Sequence, residues 1–186
     1  INATATSGLP VSLAILSGPA TLSGNTVTIT GAGTVTVRAA QGGDANYNAA
    51  LNVDQSFTVA KVTPVITWGN PANITYGTPL GGAQLNATAS VPGSLVYSPA
   101  SGAVLNAGNG RTLSVTFTPT DTANYNPANY SVAINVSKVS LTVTVDNQSR
   151  PYGAANPTFT GSITGVVNND NITPGYATTA TSGSAP

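Results

Sequence analysis

The chain has 186 residues, only 5% of them charged, and its five basic and five acidic side chains give a formal net charge of zero at neutral pH. A neutral chain lacks the basic surface of a nucleic-acid-binding protein and the charge that attracts a protein to anionic membranes. Cysteine, histidine and methionine are absent, which excludes disulfides, thiol or imidazole catalysis and the usual zinc sites. We therefore predict a protein that is not an enzyme and uses no cofactor.

Strand patterns follow one another along the whole chain. Residues 26–39, TVTITGAGTVTVRA, alternate Thr with Val or Ile around a Gly-Ala-Gly turn, which predicts a β-hairpin. The same alternation predicts strands at residues 55–61, 111–119, 130–138 and 140–146. Turn signals rich in Pro and Gly separate the strands about every 8–12 residues, no helical pattern is present, and no apolar run approaches the ~18 residues that cross a bilayer. The predicted class is all-β, with antiparallel sandwiches.

An internal repeat organises these strands. The segment KVTPVITWGN begins at Lys61, and the similar KVSLTVTVDN begins 77 residues later at Lys138. A Tyr-Gly step recurs at Tyr76 and Tyr152, 76 residues apart. A period of this length, if each copy is one sandwich, predicts tandem units joined by short, stiff junctions, because no Gly-Ser linker separates them.

The repeat predicts three units, of which the two end units are incomplete. The first lacks its opening strands and the third stops on its C-terminal side, so we expect the chain to be a piece of a longer polypeptide. The predicted boundaries are residues 1–60, 61–137 and 138–186.

Two long phrases, residues 8–50 and 74–125, resemble the Ig-like repeats of large bacterial surface and secreted proteins. Residues 141–172 are similar to the MBG domain, known for a Tyr-Gly-x motif that here is Tyr152-Gly153-Ala154. The resemblance implies tandem Ig-like sandwiches, an extracellular or cell-surface location, and a role as stalk or scaffold without catalytic residues.

Two short segments, GGDANYNAA and TPTDTANYNPA, repeat an Asp, an Asn and a Tyr in close spacing. This spacing resembles the tyrosine corner of Ig-like sandwiches, in which the ring covers the core and its hydroxyl bonds to backbone. The alternative is a calcium loop with Asp44 and Asp121 as ligands, although calcium takes six to eight oxygens and each segment offers one carboxylate. The predicted corner residues are Asp44, Tyr47, Asp121, Ala123 and Tyr125.

The Tyr-Gly steps, Tyr76-Gly77 and Tyr152-Gly153, are predicted to hold turns. Trp68 is the sole tryptophan, and we expect either a partly buried position at a junction or edge, or a ring that stacks on a sugar.

The two equivalent lysines and the Thr-x-Thr pairs each have a structural interpretation and a functional alternative. Lys61 and Lys138 begin equivalent strands and are expected to be solvated, the alternative being a covalent link to an Asn. Thr-x-Thr pairs at residues 26–28, 34–36 and 142–144 are expected to solvate a sheet face, the alternative being a hydroxyl array for ice or carbohydrate.

The function predicted from the sequence is a structural segment of a bacterial extracellular protein, acting as a stalk, fibre or adhesin scaffold. One alternative is a filament subunit that a neighbouring chain completes by strand addition. A second is a carbohydrate-binding accessory module. The expected partners are neighbouring repeats or copies of the same protein, and surface glycans or proteins. Nucleic acid binding and membrane insertion of this segment are not expected.

Overall fold

The computed structural model describes residues 1–184 and consists of strands joined by turns and loops. No helix occurs in this part of the chain, which confirms the predicted all-β class, and so no helix there is long and apolar enough to cross a membrane. The last two residues of the predicted third repeat, 185–186, lie outside the described residues. The strands are β1 Ser12–Ser17, β2 Ala20–Ser23, β3 Thr26–Ile29, β4 Gly33–Ala40, β5 Val53–Val59, β6 Ile66–Thr67, β7 Ile74–Thr75, β8 Thr88–Ala89, β9 Gly93–Ser98, β10 Gly108–Pro119, β11 Ala128–Ser137, β12 Thr142–Val145 and β13 Gly161–Thr164.

The chain forms two compact units, and each contains residues of more than one predicted repeat. The first unit holds the whole first repeat together with parts of the second, and the second unit holds the remainder of the second repeat and the third. The division into three repeats stays a prediction. The first unit is Ile1–Thr67, Ala87–Val96 and Val115–Tyr130, and the second is Trp68–Asn86, Tyr97–Ser114 and the chain from Ser131 onward.

A three-stranded antiparallel sheet in the order β1-β4-β5 dominates the first unit. The alternation of β4 directs Val35 and Val37 inward, where both are buried. The other face carries polar side chains that meet a partner directly across on β5, as cross-strand pairs do. These pairs are Thr34 with Thr58 at 3.4 Å between hydroxyl oxygens, Thr36 with Ser56 at 2.8 Å, and Arg38 with Asp54 at 2.7 Å from Nε to Oδ1.

The predicted hairpin over residues 26–39 is wrong, although both of its strands exist. β3 pairs with β2, whereas β4 pairs with β1 and β5. The tight turn lies instead at Gly24-Asn25, between Ser23 and Thr26, and Gly24 has the positive φ of 56° that a two-residue hairpin loop favours. Gly31 and Gly33 do not form a hairpin turn but allow close packing. A side chain at Gly31 would collide with the amide oxygen of Asn124.

A four-stranded sheet in the order β7-β11-β10-β9 supplies most of the buried core. Alternate residues of β10 and β11 are almost fully buried, which confirms the strands predicted at residues 111–119 and 130–138. On β9, Gly93 lies against the Phe117 ring so closely that an added Cβ would overlap it. The buried positions on the two long strands are Leu113, Val115, Phe117, Pro119, Ala128, Val132, Ile134 and Val136.

The remaining strands form small two-stranded antiparallel sheets. β6 pairs with β8, and β12 pairs with β13 from Thr142 opposite Thr164 to Val145 opposite Gly161. β12 lies within the strand predicted at residues 140–146. Its four residues are all exposed, in contrast to β6, where Ile66 is buried.

Candidate functional site

The first predicted corner is a turn built around a carboxylate. Oδ1 of Asp44 accepts hydrogen bonds from the backbone N–H groups of Asn46 at 2.7 Å and Tyr47 at 2.9 Å, and the Asp44 N–H donates to the Tyr47 carbonyl. Such bonds from an Asp to the backbone two or three residues later stabilise a turn locally. The Tyr47 side chain is 55% exposed, so the carboxylate holds this turn and the ring does not cover a core.

The second corner has the same construction with one further contact. Oδ1 of Asp121 accepts from the N–H groups of Ala123 at 3.1 Å and Asn124 at 3.2 Å, and Oδ2 accepts from the Asn124 side-chain amide at 2.7 Å. The Tyr125 N–H donates to the Asp121 carbonyl, and its side chain is half-buried. These bonds fix the position of Asn124, which the corner pattern contained but which sequence reasoning did not single out.

Asn124 joins three segments of the first unit. Its side-chain oxygen accepts from the Ala32 N–H at 2.7 Å, in the turn before β4. Its backbone carbonyl accepts from the Val62 N–H at 3.0 Å, at the start of the second repeat. Next to it, Lys61 Nζ donates to the Thr122 carbonyl at 2.7 Å. The hydrogen bonds of this corner therefore connect the turn before β4 with the segment at Val62, where the second predicted repeat begins.

The hydrogen bonds around Asp121 also affect its acidity. The hydrogen bond from the Asn124 side-chain amide is the largest cause that lowers the pKa of Asp121. Hydrogen bonds from backbone N–H groups and the charge of Lys61 lower it further, and desolvation raises it. Asp54 on the sheet surface is similar, because its hydrogen bond to Arg38 lowers its pKa. Both carboxylates thus favour the charged form in the folded protein.

These lowered pKa values predict a loss of stability in acid. A carboxylate with a lower pKa in the folded than in the unfolded chain stabilises the fold above its unfolded pKa, and the effect is lost as the pH falls through the folded pKa. We expect the unfolding free energy to decrease as the pH is lowered from 7 to about 2, most steeply below the ordinary aspartate pKa of 3.8. Urea titrations monitored by Trp68 fluorescence measure this slope. Asp54→Asn should flatten it, and an unchanged slope in that variant would contradict the assignment.

A second prediction concerns the corner itself. Asp121→Ala removes the acceptors for two backbone N–H groups and for the Asn124 amide, so we expect a melting temperature several degrees lower. Asp121→Asn retains the Oδ1 acceptor and should lower it less. Asp44→Ala is the matched control, because the Asp44 turn has the backbone hydrogen bonds without the contact that Asp121 makes to the Asn124 side-chain amide. An equal decrease in melting temperature in both alanine variants would show that the Asp121–Asn124 amide contact contributes no stability.

No grouping of three or more acidic, His or Cys side chains occurs among residues 1–184 that could hold a metal ion. At both candidate calcium ligands, Asp44 and Asp121, the Oδ1 oxygen is bonded to the backbone of its own turn. A carboxylate used in this way stabilises the backbone of its own turn.

The two Tyr-Gly steps lie in turns with different surroundings. At the first, Thr78 N–H donates to the Thr75 carbonyl, and the Tyr76 hydroxyl donates to Oδ1 of Asp170 at 3.1 Å. Gly77 has a φ of +91° and lies against the Val167 side chain, so a larger residue there would collide with Val167. Direct side-chain contacts therefore hold this turn within the second unit.

At the second Tyr-Gly step the turn is open to solvent. Ala154 N–H donates to the Pro151 carbonyl, and Gly153 has a φ of +79°. The Tyr152 side chain is 77% exposed, although Tyr76, its counterpart, is bonded to Asp170. The two turns therefore differ in that the second leaves its tyrosine ring exposed.

Trp68 is buried, with 4% of its surface exposed. Its indole N–H donates to the Gln84 carbonyl at 3.0 Å, and its ring contacts Tyr97 edge to face, with ring centroids 5.3 Å apart. A ring in this position presents no face to a sugar, so the alternative of stacking at Trp68 is wrong. The sequence predicted a partly buried position, and the structure buries this ring almost completely.

A cleft of about 720 Å³ lies within the first unit. Its lining includes Val37, Ala39 and Val53 of β4 and β5 together with residues 1–7. Tyr47 and Leu51 also line it, and Leu51 is 92% exposed. The cleft contains no charged side chain, so it suits an apolar or neutral occupant.

The strands and their pairing define an all-β protein. Residues 141–186 match the MBG domain (YGX type), a segment that includes the Tyr152-Gly153-Ala154 motif, and this match confirms the predicted resemblance of the C-terminal part. The chain as a whole matches no curated protein and no solved structure.

Proposed function

We propose that the chain is a structural segment of a bacterial extracellular protein, built of tandem Ig-like sandwiches and acting as a stalk, fibre or adhesin scaffold. MBG domains occur in bacterial surface proteins, which supports an extracellular location. The neutral, hydroxyl-rich surface and the absence of Cys and His in the sequence also support a role without catalysis.

The observation that carries the proposal is the junction at Asn124. A stalk must transmit force from one repeat to the next, and a hydrogen-bonded junction resists bending better than a flexible linker does. One side chain bonds the turn before β4, while its backbone bonds the start of the second repeat. The Tyr76–Asp170 bond supports the same role at the next junction.

Accessibility on cells tests the proposed location. Antibodies raised against this chain should label intact, unpermeabilised cells that produce it, and external protease should remove the label. A cytoplasmic protein of the same cells serves as the control and should remain unlabelled. Labelling that requires permeabilisation would contradict an extracellular role.

An array of glycans should give no binding, since binding by the isolated chain would favour the carbohydrate-binding alternative.

A second role, assembly of copies into filaments by strand addition, is favoured by a specific observation. β5 lies at the edge of its sheet, with an apolar face that is partly exposed. An edge strand of this kind offers unpaired backbone groups to another strand.

A further inference from the structure

Asn109-Gly110 is the one place in the sequence where a glycine follows an asparagine. Asparagine is a chemically labile residue, because its side-chain amide reacts with the backbone nitrogen of the next residue. A side chain on that next residue hinders the ring closure, and glycine has none. Asn109 is therefore the asparagine of this chain whose neighbour hinders the reaction least.

Both residues are exposed at the beginning of β10. The Asn109 side-chain amide has no hydrogen-bond partner in the part of the chain that the structure describes. At Gly110, no atom outside its chain neighbours lies within 4 Å of the place where a Cβ would stand. Exposure and the lack of a partner leave the Asn109 amide free to rotate towards the Gly110 nitrogen.

The backbone conformation requires glycine at residue 110. The φ of Gly110 is +64°, in the left-handed region that L side chains rarely adopt. A substitution that removed the reactive step at this residue would therefore strain the start of β10.

Asn135 on β11 holds the backbone nitrogen that the reaction needs. Its side-chain oxygen accepts a hydrogen bond from the Gly110 N–H at 2.9 Å. To react, this nitrogen has to lose its proton and approach Cγ of Asn109. The hydrogen bond to Asn135 has to break first, so it slows the reaction by the free energy of one hydrogen bond.

Arg111 holds the segment before the reactive step. Its guanidinium donates to the carbonyls of Asn106 at 3.0 Å and Ala107 at 2.5 Å, and it lies against Gly108. The backbone on both sides of Asn109 is thus hydrogen-bonded, and the Asn109 side chain between these two points is free.

We propose that Asn109-Gly110 is a self-modifying site, at which Asn109 converts slowly into aspartate and isoaspartate, and that Asn135 restrains the conversion. The Gly110 nitrogen forms a bond to Cγ of Asn109, the bond from Cγ to Nδ2 breaks, and ammonia leaves with the proton of the Gly110 N–H. Water then opens the cyclic imide. Opening at Cγ gives aspartate, and opening at the backbone carbonyl carbon gives isoaspartate.

The conversion changes both the charge and the backbone of the chain, and its only co-reactant is water. The sequence has five basic and five acidic side chains, so one new carboxylate takes the formal net charge from zero to −1. Isoaspartate also adds a methylene group to the backbone of β10, beside the Gly110–Asn135 hydrogen bond. We expect the isoaspartate form to melt at a lower temperature, because the start of β10 no longer fits its pairing with β11.

Prolonged incubation of the whole chain in mildly alkaline buffer tests the site. Peptide mapping by mass spectrometry locates each conversion, because a carboxyl group is heavier than an amide, and enzymatic methylation detects isoaspartate. In the wild-type chain Asn109 should convert faster than every other asparagine. Asn135→Ala should convert at residue 109 roughly two- to tenfold faster than the wild type, the kinetic equivalent of one lost hydrogen bond.

Two further variants are controls. Asn129→Ala removes another exposed asparagine of β11 that does not bond to Gly110, so it should convert at the wild-type rate. Asn109→Gln should stop the reaction at this position, because the longer side chain closes its ring far more slowly. Asn109, Asn129 and Asn135 are all exposed, so the variants are expected to fold, and an unchanged Trp68 emission spectrum checks this.

The outcomes distinguish the site from its restraint. No conversion at residue 109 in either the wild type or Asn135→Ala would overturn the site. Conversion at equal rates in the wild type and Asn135→Ala would overturn the role of Asn135. Conversion of several other asparagines at the rate of Asn109 would also contradict the proposal, because the reaction would then not depend on the Asn-Gly step.

Discussion

Phe117→Ala is expected to lower the unfolding free energy by about 3–5 kcal/mol, the usual cost of removing a buried phenylalanine ring. Phe117 is 1% exposed on β10, and its ring lies against Gly93 in the neighbouring strand. The surrounding side chains cannot close the space that the ring leaves, because β9 and β10 are fixed by their pairing. Chemical denaturation followed by Trp68 fluorescence measures the loss.

The matched control is Phe57→Ala. Phe57 lies on the inner face of β5, yet 40% of its surface is exposed, so its removal in the monomer should cost clearly less than the removal of Phe117. Equal losses at the two positions would contradict the assignment of the core to the four-stranded sheet.

Trp68→Ala is expected to have a similarly large effect, about 3–5 kcal/mol. The substitution removes a buried ring, its edge-to-face contact with Tyr97 and the hydrogen bond to the Gln84 carbonyl. The Gln84 carbonyl loses a buried donor, which adds a desolvation cost to the cavity.

Trp68→Phe separates the two contributions, because it keeps an aromatic ring against Tyr97 and loses only the indole N–H. We expect it to recover more than half of the stability lost in Trp68→Ala. Circular dichroism has to follow unfolding in both variants, since the chain has no other tryptophan. A Trp68→Ala variant as stable as the wild type would show that the ring is not part of the core.

The strands were predictable because successive side chains of a strand point to opposite faces, so that burial of one face leaves an alternation of apolar and polar residues within a few positions. In residues 113–119 and 132–136 every second side chain is apolar, and the structure buries those side chains. The C-terminal resemblance also followed from a local phrase, the Tyr-Gly-x motif. In the two corner segments each Asp bonds the backbone of its own turn, and such a contact requires only neighbouring residues.

Pairing partners were less predictable, because the alternation within a strand does not specify which other strand lies beside it. Residues 26–39 have the alternation of a hairpin, but the shorter turn at Gly24-Asn25 pairs β3 with β2 instead. The burial of Trp68 and the central position of Asn124 depend on residues far away in the sequence. Ala32, for example, is 92 residues from Asn124, and no local pattern contains that contact.

Mechanical extension of single molecules tests the central claim, a structural role, most directly. The chain is held at its two ends and pulled. We predict a discrete rupture of the second repeat that releases about 250 Å of contour, as expected for its residues at ~3.3–3.6 Å each. The Phe117→Ala variant should rupture at lower force, because the buried core between the strands is weakened. A smooth extension without any rupture would contradict a force-bearing role for this chain.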